Sequence, residues 1–181
     1  MTDRSLTGGH MLIEHRVVLS LGSNLGDRLE NLQDAIDALF DAPGLTFLAI
    51  SPVYETAPWG GVEQDDFLNV VVVAETLLTP ETLLERSLSI EESMRRERVV
   101  RWGPRTLDID IVQFGGIVSD DPRLTLPHPR AHERAFVLVP WAGVEPDAVL
   151  TGHGPVADLA AAAAGDQEVT RRDDLTLQPP A

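Results

Sequence analysis

An α+β fold, one antiparallel sheet with helices packed on it in the chain order βαββαβ, is what the sequence predicts, and three observations carry it. Short β-rich runs at residues 16–21 (RVVLSL) and 67–75 (FLNVVVVAE) are each followed by a segment of helical periodicity. An apolar stretch broken at Pro52 lies between the first helix and the second run. An alternating run at 107–114 (LDIDIVQF) closes the series. A chain of 181 residues, 43% of them hydrophobic, suits one domain with a substantial core.

The first strand stops at Gly22, and Gly22-Ser23-Asn24 reads as a turn and cap that could also approach a ligand closely. Asp27 with Glu30 three residues on makes a capping-box-like start, and Leu29, Leu32, Ile36, Leu39 and Phe40 then recur at helical spacing. That helix ends at Asp41-Ala42-Pro43-Gly44. Residues 45–50 and 53–56 read as a strand interrupted or bent at Pro52. Residues 56–66 (TAPWGGVEQDD) have no period and carry Gly60-Gly61, which predicts a mobile loop.

In the next strand four consecutive valines predict burial on both faces, and Asn69 stands out among them. Thr79 as N-cap and Pro80 at the first helical position open a second helix, with Leu83, Leu84, Ser87, Leu88, Glu91 and Met94 along one side. After an arginine-rich connection at 95–106, the period of two in the last strand puts Asp108 and Asp110 on one face and Leu107, Ile109 and Ile111 on the other. The resulting order is the ferredoxin-like split βαβ arrangement, with its helices on one face.

C-terminal additions follow this core. Residues 115–129 are loop-rich, 131–141 fit a short helix packing back onto the sheet, and 157–164 (ADLAAAAA) have helix propensity with little apolar bulk. Residues 167–181 are charged and end near Pro-Pro. The expected organisation is a disordered N-terminal extension over 1–15, a single domain over 16–165 and a disordered tail over 166–181. A start at Met11 and an upstream fusion partner are alternatives for the N-terminal segment.

Charge and composition exclude several function classes. There are 29 acidic residues against 14 basic ones, a formal charge of −15, and every basic residue is Arg. With no lysine, a P-loop and Schiff-base chemistry are ruled out. The absence of cysteine excludes thiolate catalysis, disulfides and Cys-ligated zinc, and suits the cytoplasm. The acidity opposes general binding of nucleic acid or of an anionic membrane.

Against that background, Arg95, Arg96, Arg98, Arg101 and Arg105 fall within eleven residues holding one acid, Glu97. Such a segment can clamp phosphate oxygens through ionised, bidentate donors; a helix-end cluster favoured by the macrodipole is the plainer reading. Asp108 and Asp110 together suit a hard divalent cation brought in with a polyphosphate, or else merely face solvent. Trp102-Gly103-Pro104 is a rigid turn between clamp and carboxylates. Phe67 and Asn69 share one side of their strand and offer a ring and an amide edge to a flat heteroaromatic ligand. His128, held between Pro127 and Pro129, could bond a phosphate.

These residues spell a longer pattern. Residues 21–27 (LGSNLGD), 54–58 (YETAP), 67–69 (FLN), 101–111 (RWGPRTLDIDI) and 126–128 (LPH), in order between about Val17 and Pro146, resemble the 6-hydroxymethyl-7,8-dihydropterin pyrophosphokinase family. The resemblance implies transfer of the β,γ-diphosphate of ATP to the pterin hydroxymethyl group, with release of AMP. It implies two Mg²⁺ ions held by Asp108 and Asp110, and functional arginines at Arg96 and Arg105. Arg95 stands where the family usually has Gly, so the register between Arg95 and Arg96 stays open. Glu91, Arg98, Arg101, Trp102, Ile111, Arg123, Thr125, His128 and Arg134 match ATP-side positions. Gly22, Thr56, Ala57, Trp59, Phe67, Asn69, Trp102 and Phe136 match the pterin slot.

Asp110 is the nearest candidate for a base. The expected partners are ATP and the pterin, with neither nucleic acid nor membrane, and the expected state is a cytoplasmic monomer. Two competing classes are a two-metal nucleotidyltransferase and a non-catalytic ferredoxin-like ligand-binding module. The first keeps its Gly-Ser and aspartates close together, whereas Gly22 and Asp108 are 86 positions apart. The second has no reason to set aspartates beside an arginine clamp.

Overall fold

A computed structural model describes residues 13–58, 63–95 and 107–181. Most of the expected N-terminal extension and the centre of the Gly60-Gly61 loop lie outside the described residues. So do the candidate site residues Trp59, Arg96, Arg98, Arg101, Trp102 and Arg105.

The elements follow the predicted order: β1 (His15–Ser23), α1 (Arg28–Asp41), β2 (Leu45–Ile50), β3 (Tyr54–Thr56), β4 (Phe67–Thr76), α2 (Pro80–Arg95) and β5 (Asp108–Phe114). Both helix starts have the side-chain caps that the sequence indicated. The Asp27 carboxylate accepts from the Glu30 N–H at 3.0 Å, and Thr79 Oγ1 accepts from the Thr82 N–H at 3.2 Å. In the sheet β5 pairs with β1 and β1 with β4, while β2 and β3 follow one another along the far edge of β4, all antiparallel.

Pro52 has no N–H to donate, so the strand breaks there into β2 and β3. Ser51 bridges the gap: its N–H donates to the Val71 carbonyl and its hydroxyl accepts from the Val71 N–H, each at 2.9 Å.

Each face of the sheet has its own core. Leu19, Leu21, Val70, Val72, Ile109 and Ile111 pack with Leu32, Ile36 and Leu39 of α1 and Leu83 of α2. Val18, Val71, Val73 and Val112 face the other way, into a second cluster. Val70, Val71, Val72 and Val73 are all fully buried, as the unbroken apolar run required. The second face is covered by additions to the βαββαβ core. A 3₁₀ turn at Ala131–Glu133 leads into α3 (Ala135–Val144), whose Val137, Leu138 and Trp141 fill that cluster, and α4 (Val156–Ala163) contributes Val156 and Ala160. Small hairpins join these parts, β6 (Ser119–Asp121) with β7 (Leu124–Leu126) and β8 (Val149–Leu150) with β9 (Gly154–Pro155). No helix among the described residues is long and apolar enough to cross a membrane.

Three expectations need correction. Gly22 and Ser23 are not a turn; they are the last residues of β1, opposite Asn69 and Leu68 of β4. Leu88 is not on the buried side of α2 but 52% exposed, because α2 buries only a narrow stripe at Leu83 and Ser87.

The tail is not disordered. β10 (Val169–Arg171) pairs with β3, the Arg172 N–H donates to the Val53 carbonyl, and Leu177 is buried in the first core. Farther along, the Gln178 N–H donates to Gln33 Oε1 at 2.8 Å and Gln33 Nε2 donates back to the Gln178 carbonyl. The tail reads as frayed because its charges dominate its composition, yet those charges are matched locally. Arg171 pairs with Asp173, and Arg172 with Asp174 and Glu55, leaving Leu175 and Leu177 free to pack. Leu177→Ala should therefore lower the unfolding free energy in urea by about 2 kcal/mol or more. A loss below about 0.5 kcal/mol, the size of an ordinary surface change, would show that the tail contributes nothing to the core.

Candidate active site

The second face of the sheet changes character along its length. Near α3 it is apolar, with Val18, Val73 and Val112. One step of the pleat further, Val71, Ser20 and Asp110 lie in one cross-strand row. The next row holds Asn69, Gly22 and Asp108 on β4, β1 and β5. Side chains directly opposite on neighbouring strands share a face, so the ladder itself sets the amide and the two carboxylates side by side. Beyond the end of the α3–α4 cover, these rows floor a cavity of about 940 Å³.

Nine of the predicted site residues line this cavity: Gly22, Thr56, Ala57, Phe67, Asn69, Asp108, Asp110, Arg134 and Phe136. Asn69 is buried, and its Nδ2 donates to Thr56 Oγ1 at 2.8 Å, which fixes the amide with its oxygen toward Gly22. A Cβ at position 22 would lie 2.9 Å from that oxygen, so this row admits only glycine without displacing Asn69. Opposite the sheet, the Arg134 guanidinium lies over the Phe136 ring at 5.5 Å from its centroid.

Second contacts hold the rim. Buried Asn24 donates to Gln64 Oε1 and to the Asp65 carbonyl, and Arg28 donates to the Asp66 carbonyl and to Glu55. Asn24 follows β1 directly and Arg28 opens α1, so residues 64–66 are tied back to the end of the strand that carries Gly22.

Behind the aspartates, Glu91 of α2 accepts the Ile109 N–H at 2.6 Å and lies 3.9 Å from Arg95. Burial, with the added repulsion of Asp108 and Asp110, pushes its carboxyl above the usual range, against the opposing pull of the Ile109 N–H and Arg95. His128 follows the cis Leu126–Pro127 bond, and its N–H donates to the Val112 carbonyl at 2.8 Å. Burial lowers its pKa, assisted by Arg134 and Arg130 and opposed by Asp110. Its Nδ1 accepts from the Arg130 N–H at 3.2 Å, which assigns the proton of the neutral ring to Nε2. His128 is thus a neutral donor beside Asp110.

Some predicted residues are not brought to the cavity. Ile111 is buried in the first core, on the other face of β5 from the aspartates. Arg123 projects from the β6–β7 hairpin with 80% of its side chain exposed, and the Thr125 hydroxyl is spent on the Asp121 carbonyl. Conversely, Ser20, Gln64, His132 and Gln167 line the cavity and were missed. Counting back by two from Gly22 along β1 would have found Ser20. Nothing local marks Gln167, which reaches the site only through tertiary packing.

The chain is similar to known proteins. The family model described as 7,8-dihydro-6-hydroxymethylpterin-pyrophosphokinase matches residues 18–146. A Methylorubrum extorquens protein named 2-amino-4-hydroxy-6-hydroxymethyldihydropteridine pyrophosphokinase is 49% identical over 138 residues, covering 76% of this chain and 87% of its own. A Mycobacterium tuberculosis protein of the same name is 45% identical over 175 residues, covering 90% of this chain and 89% of its own. Among solved structures, Plasmodium falciparum HPPK-DHPS wild type with pteroate matches with a TM-score of 0.67 at 14% identity, over 84% of this chain and 45% of that one. This last likeness concerns the fold, and the chain spans less than half of that larger protein.

The Glu91 environment makes a pH prediction. A carboxyl whose folded pKa is raised binds its proton more tightly in the native state, so its destabilising charge is absent at low pH and fully present above the folded pKa. In metal-free buffer with chelator, Glu91→Gln should be more stable than the parent at pH 7.5, and the gain should shrink as pH falls toward the ordinary glutamate range. Denaturant titration at several pH values checks this; a variant less stable at pH 7.5 would contradict it.

Proposed function

The chain belongs to the 7,8-dihydro-6-hydroxymethylpterin-pyrophosphokinase family, and on that premise we propose how its own residues carry out the family reaction. That reaction is pyrophosphoryl transfer from ATP to hydroxymethyldihydropterin in folate biosynthesis. The observation that carries the proposal is the pair of rows in which Asn69 and Gly22 adjoin Asp108, and Ser20 adjoins Asp110. These rows support the reading of a site for a flat amide-bearing ring beside a site for polyphosphate.

The pterin lies over Gly22, with its amide edge read by Asn69 and by groups near Thr56 and Ala57. Phe67 and Phe136 supply the apolar faces, and Trp59 and Trp102 complete the slot. ATP lies toward β5 and the 3₁₀ turn, where Arg134 and the His128 Nε2–H meet phosphate oxygens, and Arg98 and Arg101 add charge. Arg123, Thr125 and the main chain at Ile111 contact ATP farther out. Glu91 acts from behind, through its hydrogen bond to β5.

Asp108 and Asp110 fit Mg²⁺: both are oxygen donors on one strand face at the cavity floor, with Glu91 adding negative potential. No group of three or more His, Asp or Glu among the described residues is arranged to hold a metal ion. The remaining coordination positions of two ions would then fall to triphosphate oxygens and water. Mg²⁺ held there supplies neutralisation of the charge on those oxygens.

The protein's part is positioning. The pterin hydroxymethyl oxygen must face the β-phosphorus in line with the bridging oxygen to the α-phosphate. As the new O–P bond forms, that bridge breaks and AMP leaves with its electron pair; the hydroxyl proton is lost, and Asp110 is the carboxylate assigned to receive it. Arg96 and Arg105 stabilise the charge developing on the transferred and leaving groups. We further assign the protein as a cytoplasmic monomer acting on these two small molecules.

With Mg²⁺, ATP and 6-hydroxymethyl-7,8-dihydropterin, the products should be AMP and the pterin diphosphate. ADP formation, or pyrophosphate release with transfer of the nucleotide, would defeat the assignment. Asp108→Ala and Asp110→Ala should each reduce turnover by at least about a thousandfold with the fold intact by circular dichroism; an active double variant would refute the metal role. Arg105→Ala should lower kcat by about a hundredfold while the Kd for ATP changes far less. An effect confined to KM would make Arg105 a binding residue only.

A further inference from the structure

Residues 166–172 lie beyond the 18–146 matched by the family model, yet they are attached to both walls of the cavity. On one side, β10 pairs with β3, placing Val169 opposite Thr56, the residue whose hydroxyl holds the Asn69 amide. On the other, the Gln167 side chain reaches the start of α3. Its Oε1 accepts from the Ala135 N–H at 3.0 Å, and its Nε2 donates to the Glu133 carbonyl at 2.8 Å.

The first N–H groups of a helix have no partner within it. At α3 the N-cap residue, Arg134, makes no side-chain capping bond. Gln167, 32 residues beyond Ala135, supplies the missing acceptor. The two residues flanking Arg134, Glu133 and Ala135, are thus both gripped by one amide. Phe136 follows at once, and both Arg134 and Phe136 face the cavity. Only Glu168 separates Gln167 from the strand pairing at Val169, so little slack remains between the two attachments.

We propose that Gln167 is a positioning residue that sets the spacing of the pterin slot, tying the Arg134–Phe136 wall to the Thr56–Asn69 wall through β10. This rests on the reading of the slot given above. Gln167 does its work through α3 and β3 and not by reacting. Its loss should therefore weaken pterin binding more than it slows the bound complex.

The test is steady-state kinetics of Gln167→Met, which keeps the length of the side chain and loses both hydrogen bonds, beside Gln167→Glu, which keeps the acceptor for the Ala135 N–H. Phe136→Ala serves as the control for the slot itself. The expected result for Gln167→Met is a pterin KM raised about fivefold or more with kcat within about twofold. Gln167→Glu, which keeps the Ala135 bond but sets its second oxygen against the Glu133 carbonyl, should recover part of the loss, with a KM between those of Gln167→Met and the parent. A simple loss of stability would lower the melting temperature without moving the KM of the folded enzyme, so KM is the deciding quantity. An unchanged KM in Gln167→Met, a fall in kcat alone, or a Glu variant no better than Met overturns the role of Gln167. If Phe136→Ala also leaves KM unchanged, the slot reading fails with it; if Phe136→Ala raises KM and Gln167→Met does not, only the inference about Gln167 fails.

Discussion

The register of three strands, β4, β1 and β5, is the constraint on which the rest of the structure depends. It sets Asn69, Gly22 and Asp108 in one row, and Val71, Ser20 and Asp110 in the next. A slip of one residue would turn every side chain of a strand to the opposite face. Here it would send the aspartates into the core against α1 and α2 and bring Ile109 and Ile111 into the cavity. The register is held by burial: Leu19, Leu21, Val70, Val72, Ile109 and Ile111 must all face the same helices, and each is 5% exposed or less. Core packing and site geometry are two faces of one pattern.

The same arrangement concentrates like charge. Carboxylates two residues apart on a strand are separated by about 7 Å, where at an effective dielectric of 20 their repulsion is about 2 kcal/mol. Glu91 lies behind them, and its carboxyl is pushed above the usual range first by burial and then by the repulsion of Asp108 and Asp110. In the proposed function a bound cation and its polyphosphate would offset this repulsion. The chain is acidic overall, and its cationic groups are placed selectively. Arg134 lies at the cavity wall, Arg28 and Arg172 converge on Glu55 beneath the rim, and the arginine-rich segment precedes β5. All are guanidinium groups, which remain charged and bond in a planar fork, whereas a lysine could lose its proton on burial.

Much of this was legible in the sequence, for reasons that are local. Capping at Asp27 and Thr79, the break at Pro52, the four buried valines and the alternation in 107–114 are each decided by a few adjacent residues, and each is present in the fold. The shared face of Asp108 and Asp110, and that of Phe67 and Asn69, followed from the period of a strand. What was not legible depends on distant partners. Gly22 looked like a turn because its strand continues only by pairing with β4 and β5. Leu88 looked buried because periodicity does not reveal how narrow a stripe α2 presents. The tail looked solvated because the partners of Arg172, Leu177 and Gln178 are up to 145 residues away. The assignments of Arg123 and Ile111 came from resemblance; the structure keeps both side chains out of the cavity.

In the proposed function one row of the sheet, with glycine at its centre, joins the pterin site to the phosphate site. Gly22→Ala tests it most directly. The added methyl meets the movable end of Asn69, not backbone, so the fold should survive while the amide is pushed from its place against Thr56. The measurement is the affinity of the variant for the pterin and, separately, for MgATP. Pterin binding should weaken about tenfold or more, with MgATP affinity within about twofold of the parent. Unaltered pterin affinity in a folded Gly22→Ala protein would contradict it.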